Sequence, residues 1–405
     1  MSKIEAGFGR VEITPDHVGF QMLGYGNREG LSAGIHDPLC AQALVLRQGE
    51  DAWALCAVDV LAVNAEVVAD IRQQVSHSTG LMPQAIMIAA IHTHSAPSPL
   101  DKGNWEHPFA ALVTDAIIQA WDTLRPAQLG VGAGFLYGYS INRRWLERPI
   151  DPGVGVLRVE DAEGHLLGTV VNFGLHAVVM GYDNLEISAD YVGYARDKVE
   201  QSLGGRCVFT NGGAANVNPI TATVRRQLAE RREFSTMTGA YYYGSSTDAV
   251  PIEDRGGGTF AEAEEIGHAV ADEIVYVAQG IETHAPQAPI WSAQAWVDHL
   301  NDGTEIIETQ ALGVDRFALV GQPGEVFVET ALDLTEKLRL SGHEFPWVIS
   351  YANDWRAYLA PASAFAEGGY EVERAQEAGH SPHLQDRLWS SLSAAIPPLR
   401  KVGGV

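Results

Sequence analysis

The chain has 405 residues, 46% hydrophobic and 19% charged, with 27 Lys and Arg against 51 Asp and Glu for a formal net charge of −24. That length can bury a large core. The charge repels phosphates and anionic bilayers, which argues against a nucleic acid partner or a membrane partner. The 42 glycines and 19 prolines are spread along the chain, so turns separate many elements and no low-complexity tail stands out. Cys40, Cys56 and Cys207 lack CxxC spacing and read as reduced thiols. The opening MSKIEAGFGRVEITP has no apolar run of signal-peptide length, and no later run reaches about 18 apolar residues. A cytoplasmic protein without membrane insertion is expected, and its oligomeric state is left open.

In chain order, apolar and β-branched runs at 41–46, 53–58, 85–91, 154–159, 168–173 and 316–320 predict buried strands. Apolar positions three and four apart predict helices over 64–76, 108–124, 189–203, 260–279, 326–339 and 383–394. Their interleaving predicts a mixed α/β fold of β-sheets layered with α-helices. No repeat of 20 to 50 residues is visible. Residues 221–258, with RRQLAERR, YYYGSS and DRGGG, lack periodicity and read either as a lid over an active site or as a surface insertion. Nothing else resembles a linker, so one domain over 1–405 is expected.

Three segments carry candidate chemistry. In IMIAAIHTHSAPS, alternation along a strand directs His92 and His94 to one face, as a zinc pair or as two ordinary histidines. VVNFGLHAVVMG sets His176 among apolar residues, where an imidazole needs either a metal or a backbone carbonyl as partner. In ALVGQPGEVFVETAL, Glu325 follows a Gln-Pro-Gly turn and serves as a ligand or as a helix-capping charge.

Together with AGFGRVEITP, MLGYGNREGLSAGIHDPL, INRRW and EISADYVGYA, these blocks resemble, in order, the neutral non-lysosomal ceramidases in their N-terminal catalytic domain. The resemblance implies one zinc ion held by His92, His176, Glu325 and Tyr358, the last in RAYLAP. It matches Tyr370 to a second tyrosine at the family's twelve-residue interval. His94 and Arg143 match residues beside the metal, suited to proton handling and to binding an anionic oxygen. Asp190, Asn211 and Gly212 are expected around the ligands, Asp190 orienting an imidazole. The chain departs from the family at FTNGGAANVNP, which stands where ceramidases have Ser-Asn-small-Gly-Asp-Val-Ser-Pro. Counted back from Asn216 at the aspartate position, the first serine falls on Gly212, so a hydroxyl expected to contact substrate is missing. The family's additional immunoglobulin-like domain is not expected here.

These readings imply a zinc-dependent hydrolase acting on an amide or related carbonyl bond of a small, soluble substrate, with Arg143 and Tyr370 donating to the developing oxyanion. Ceramidase activity proper, an esterase, lactonase or deacylase, and a non-catalytic metal-binding protein are the alternatives.

Overall fold

A computed structural model describes residues 3–99, 105–145, 147–229, 257–286, 288–300 and 305–398. All six expected helices and all six expected strands form within a residue or a few of their expected ends. Most of the candidate lid, residues 230–256, lies outside the described residues. Its first part forms a helix, Ala222–Ala229.

The larger sheet has eight strands in the order Arg206–Asn211, Leu166–Phe173, Gly153–Asp161, Arg125–Phe135, Ile4–Glu12, Cys40–Gln48, Asp51–Val58 and Ile86–Ala90. The pairs at its two ends are parallel and the others antiparallel. A second sheet runs Ile290–Asp298, Ile306–Val314, Phe317–Gly321 and Phe345–Ile349. One face of the large sheet packs its Ala, Val and Ile side chains under the helices Ala65–Thr79, Phe109–Asp122, Tyr191–Leu203 and Phe260–Gly280. The opposite face meets the second sheet through Leu44, Trp53 and Leu55 against Leu312, Phe317 and Trp347. The far side of the second sheet carries the helices Val328–Leu340 and Leu384–Ala395, with Leu338 and Leu392 against Ala293, Ala295 and Val320. The chain is thus layered α/β/β/α.

Burial on both faces explains why Cys40–Gln48 is mostly apolar and buried almost throughout, Gln42 included, rather than alternating. Several strands escaped the sequence reading, Arg125–Phe135 among them. Its glycines 130, 132 and 134 lower its strand signal, and they have a packing reason. They line one face of the strand, where Cβ atoms would run into Ile281, Val277, Glu273 and the Glu282 carbonyl at the end of Phe260–Gly280. Among the described residues the ladder between the halves of the large sheet is short, Glu5–Pro126 and Ala6–Arg125. Loops from the sheet's opposite edges meet: the Asn211 amide donates to the carbonyls of Ile91, at 3.2 Å, and Leu175, at 3.1 Å.

Replacing Gly130 by Val forces its side chain against the Glu282 backbone. A loss of about 1–3 kcal/mol of stability is expected, read as a lower urea midpoint.

Candidate metal centre

The strand Ile86–Ala90 ends before His92, so strand alternation is not what brings its two histidines together. His92 has φ 67°, a left-handed conformation that is strained for a non-glycine residue. It is held there from three directions. Its backbone N–H donates to the Val60 carbonyl at 3.1 Å, its Nδ1 lies 2.7 Å from the Leu61 carbonyl, and its ring stacks on Tyr351 with centroids 3.9 Å apart. The carbonyls of Val60 and Leu61 follow Asp59, a buried carboxylate gripped by both Arg196 Nη atoms at 2.8 Å.

His176 follows the strand Leu166–Phe173. Its N–H donates to the Val217 carbonyl at 3.1 Å, and its Nδ1 lies 3.0 Å from the Ala214 carbonyl. His94 lies under Gly24, whose φ of 108° favours glycine and whose Cβ, if present, would overlap the His94 ring. Its carbonyl accepts from Arg28 at 2.8 Å.

All three imidazoles are buried, and their Nε2 atoms converge. His94 Nε2 is 3.3 Å from His92 Nε2 and 3.3 Å from His176 Nε2. Carbonyls accept from Nδ1–H of His92 and His176, which fixes the tautomer and leaves both Nε2 atoms as lone-pair acceptors. Burial, followed by the neighbouring His92, holds the imidazoles of His94 and His176 well below 6.5, so both are neutral at physiological pH. Into the same space comes Glu325 Oε2, 3.5 Å from His92 Nε2 and 3.9 Å from His176 Nε2, buried and without a hydrogen-bond donor among the described residues. Facing acceptors and a buried carboxylate call for a cation. The three histidines form a group able to hold a metal ion, its ligand atoms within 4.8 Å of one another.

Glu325 does not cap the following helix. It pairs with Tyr358 in a short parallel ladder, while Val328–Leu340 has Phe327 at its N-terminus and its first N–H bonds Asn216 Oδ1 at 2.9 Å. Tyr358 is buried, and its hydroxyl oxygen accepts from Arg143 Nη2 at 3.0 Å. Arg143, fully buried, also donates from Nε to Glu371 at 2.8 Å. Its charge is therefore matched by a carboxylate, and it orients Tyr358. Tyr370 packs edge-on to Tyr358 with centroids 5.9 Å apart. Burial and then the Glu325 carboxylate raise its pKa, so it retains its proton as a donor.

The sequence reading sets His94 beside the metal as a proton carrier, whereas the geometry puts its Nε2 among the converging nitrogens. Asp190 bonds no imidazole. Its carboxylate accepts from the backbone N–H groups of Val179, Met180 and Tyr191, at 3.3, 2.9 and 2.7 Å, and so shapes the loop after His176. Burial pushes its pKa up to about 6. Asn211 ties together the ends of the two strands that lead to the histidines. A side chain at Gly212 would meet Gly174 and the Asn172 amide, 3.2 and 3.4 Å from its Cβ, rather than an imidazole. The second serine of the same family block falls on Asn218, which the sequence reading passed over. Counting from Val217 through Pro219 would have found it, and it lies against Arg143. Tyr351 and Glu371 were also missed, because neither shares a motif with the residue it supports.

The described side chains thus form a candidate metal centre of histidines and a carboxylate. The family profile described as neutral/alkaline non-lysosomal ceramidase, N-terminal, matches residues 4–223, more than half the chain, and the chain belongs to that family. The neutral ceramidase of Pseudomonas aeruginosa is 30% identical over 247 residues, 53% of this chain and 36% of that protein. That of Mycobacterium tuberculosis is 28% identical over 235 residues, 50% of this chain and 36% of that protein. The matched region thus spans about a third of these curated relatives. In three dimensions, the crystal structure of the Pseudomonas aeruginosa neutral ceramidase covers 96% of this chain and 75% of its own, with a TM-score of 0.74 at 19% identity, a likeness of fold. A ceramidase complexed with C2 gives the same TM-score at 17% identity, covering 98% of this chain and 77% of its own.

Two outcomes are expected. Gly24→Ala displaces the His94 ring and weakens zinc affinity at least tenfold in a competition titration, while the far-ultraviolet circular dichroism is unchanged. Metal-free protein loses stability as pH falls below 6.5. There the unfolded chain protonates His94 and His176, and the fold resists it. The slope reaches at most about 1.4 kcal/mol per pH unit for each histidine. Thermal unfolding between pH 8 and 5 reads it, and replacing both histidines by Gln flattens it.

Proposed function

We propose that the chain is a zinc-dependent hydrolase that cleaves an N-acyl amide or related carbonyl bond. The observation that carries the reading is the convergence of three buried imidazoles on Oε2 of the Glu325 carboxylate, which has no hydrogen-bond partner among the described residues. His92, His94, His176 and Glu325 would hold the ion, with Tyr358 entering from the strand paired to Glu325. When bound, zinc acidifies water from a pKa of 15.7 to about 7 and polarises a carbonyl.

The chain's own residues supply the remaining work. Tyr370 keeps its proton and donates to the oxygen that gains charge in the tetrahedral intermediate, or to the departing amine. Arg143, neutralised by Glu371, holds the Tyr358 hydroxyl in place. The buried surroundings exclude bulk water and strengthen each of these hydrogen bonds. No serine nucleophile is invoked, and Gly212 and Asn218 occupy the two serine positions of the family block.

A small substrate suits a chain of net charge −24, which is repelled by anionic bilayers. Among the described residues no helix is long and apolar enough to cross a membrane. Ceramide is the second reading, favoured by membership of the ceramidase family and by the fold shared with a neutral ceramidase.

Elemental analysis is expected to find one zinc per chain, lost in His92→Ala and His176→Ala. Zinc-loaded protein is expected to turn over members of a panel of short- and long-chain N-acyl amides, esters, lactones and ceramide. Tyr370→Phe lowers kcat about 10²- to 10³-fold. Undiminished turnover by metal-free protein would overturn the reading.

A further inference from the structure

Asn218 is fully buried in the short strand Val217–Pro219, and its side-chain Nδ2 has no acceptor among the described residues. The other buried asparagine side chains among the described residues all donate, although the amide of the buried Gln385 is unpartnered as well. Asn211 donates to Ile91 and Leu175, Asn216 to Glu329, and Asn353 to Glu308 and Gln310. Asn142 and Asn184 likewise donate, to Pro149 and to Ser95 and Glu186. A buried amide N–H without a partner is rare in native folds and asks for a reason.

The orientation of this amide is fixed. Its Oδ1 faces Arg143 Nη1 at 3.4 Å, and a guanidinium offers donors only, so the NH₂ group must point away from it. The neighbouring backbone ties this short strand to the centre. The preceding residue, Val217, accepts from the His176 N–H, and Asn216 accepts from the Arg143 N–H, whose side chain reaches the Tyr358 hydroxyl. Asn218 therefore stands between a loop of the converging histidines and the Arg143–Tyr358 pair.

We infer that the Asn218 Nδ2–H is a donor to the substrate's carbonyl oxygen, making Asn218 a catalytic residue of this chain for the reaction proposed above, on which the inference rests. The amide makes a hydrogen bond and no covalent bond. Its unused donor is ready for an oxygen that gains negative charge, and Arg143 on Oδ1 polarises it towards donation.

The test compares Asn218→Leu with the parent protein, both zinc-loaded. Leu keeps the branching of Asn but is bulkier, and it takes the acceptor away from Arg143 Nη1, so a modest fall in Tm is expected alongside loss of the orphaned donor. Turnover of a short-chain N-acyl anilide is expected to lose about 10²- to 10³-fold in kcat with little change in KM. Binding of acetohydroxamate, which presents a carbonyl oxygen at a zinc site, is expected to weaken at least tenfold. If Asn218→Leu does not fold, Asn218→Ala carries the kinetic and hydroxamate arms.

A fall of several degrees in Tm with kcat kept would assign Asn218 a structural water and overturn the inference. So would kcat within threefold of the parent, or unchanged hydroxamate affinity. If the parent turns over no acyl compound while binding zinc, the proposed activity fails. The hydroxamate arm still decides the role of Asn218.

Discussion

Two backbone carbonyls, those of Leu61 and Ala214, set the protonation of the whole centre. By accepting from Nδ1–H of His92 and His176, they oblige both rings to present a lone pair at Nε2, and the fold aims these at His94 and Glu325. A side chain in the carbonyl's place would titrate or rotate. A backbone oxygen does neither, so the tautomer is as permanent as the loop. The left-handed φ of His92 and its stacking on Tyr351, itself at φ 57°, are needed to deliver the ring to that carbonyl. Strain of this kind costs about 1–3 kcal/mol per residue and persists only where surrounding contacts over-determine it. Here those contacts include the clamp of Asp59 by Arg196.

Around this centre the charges are paired outside the ligand set. Arg143 meets Glu371, and Arg144 lies 3.7 Å from the same carboxylate. Glu325, by contrast, faces the imidazoles of His92 and His176 and has no Lys or Arg partner among the described residues. The arrangement keeps positive charge from neutralising Glu325 and reserves that carboxylate for a cation, because a buried ion pair already satisfied would have no incentive to take one.

What the sequence disclosed and what it hid divide along physical lines. The interior strands and amphipathic helices were legible because burial on two faces or one stripe writes an apolar pattern into the chain, as in Cys40–Gln48 and Tyr191–Leu203. Arg125–Phe135 was hidden because its glycines serve a neighbouring helix rather than strand propensity. His92, His176 and Glu325 stood out through the turns and apolar runs beside them. Their convergence did not, because a positive φ at His92 and the meeting of opposite sheet edges at Asn211 are tertiary facts. Tyr351 and Glu371 act through residues distant in sequence, so nothing local marks them, whereas Asn218 is reached by counting along the family block from Val217 to Pro219. Glu325 was ambiguous between ligand and cap until Asn216 was seen to bond the helix's first N–H.

The ligand candidates come from both sheets. His92, His94 and His176 lie on loops leaving the large one, and Glu325 follows Phe317–Gly321 in the small one. An ion shared among them would act as a removable cross-link between layers, closing a loop of more than two hundred residues from His94 to Glu325. Chain entropy makes such a closure valuable, but its worth grows only with the logarithm of the span. The centre assembles only when the second sheet has docked on the first. Occupancy then reports long-range assembly, and a chain that has formed only its N-terminal half has three histidines and no carboxylate with which to compete for scarce metal.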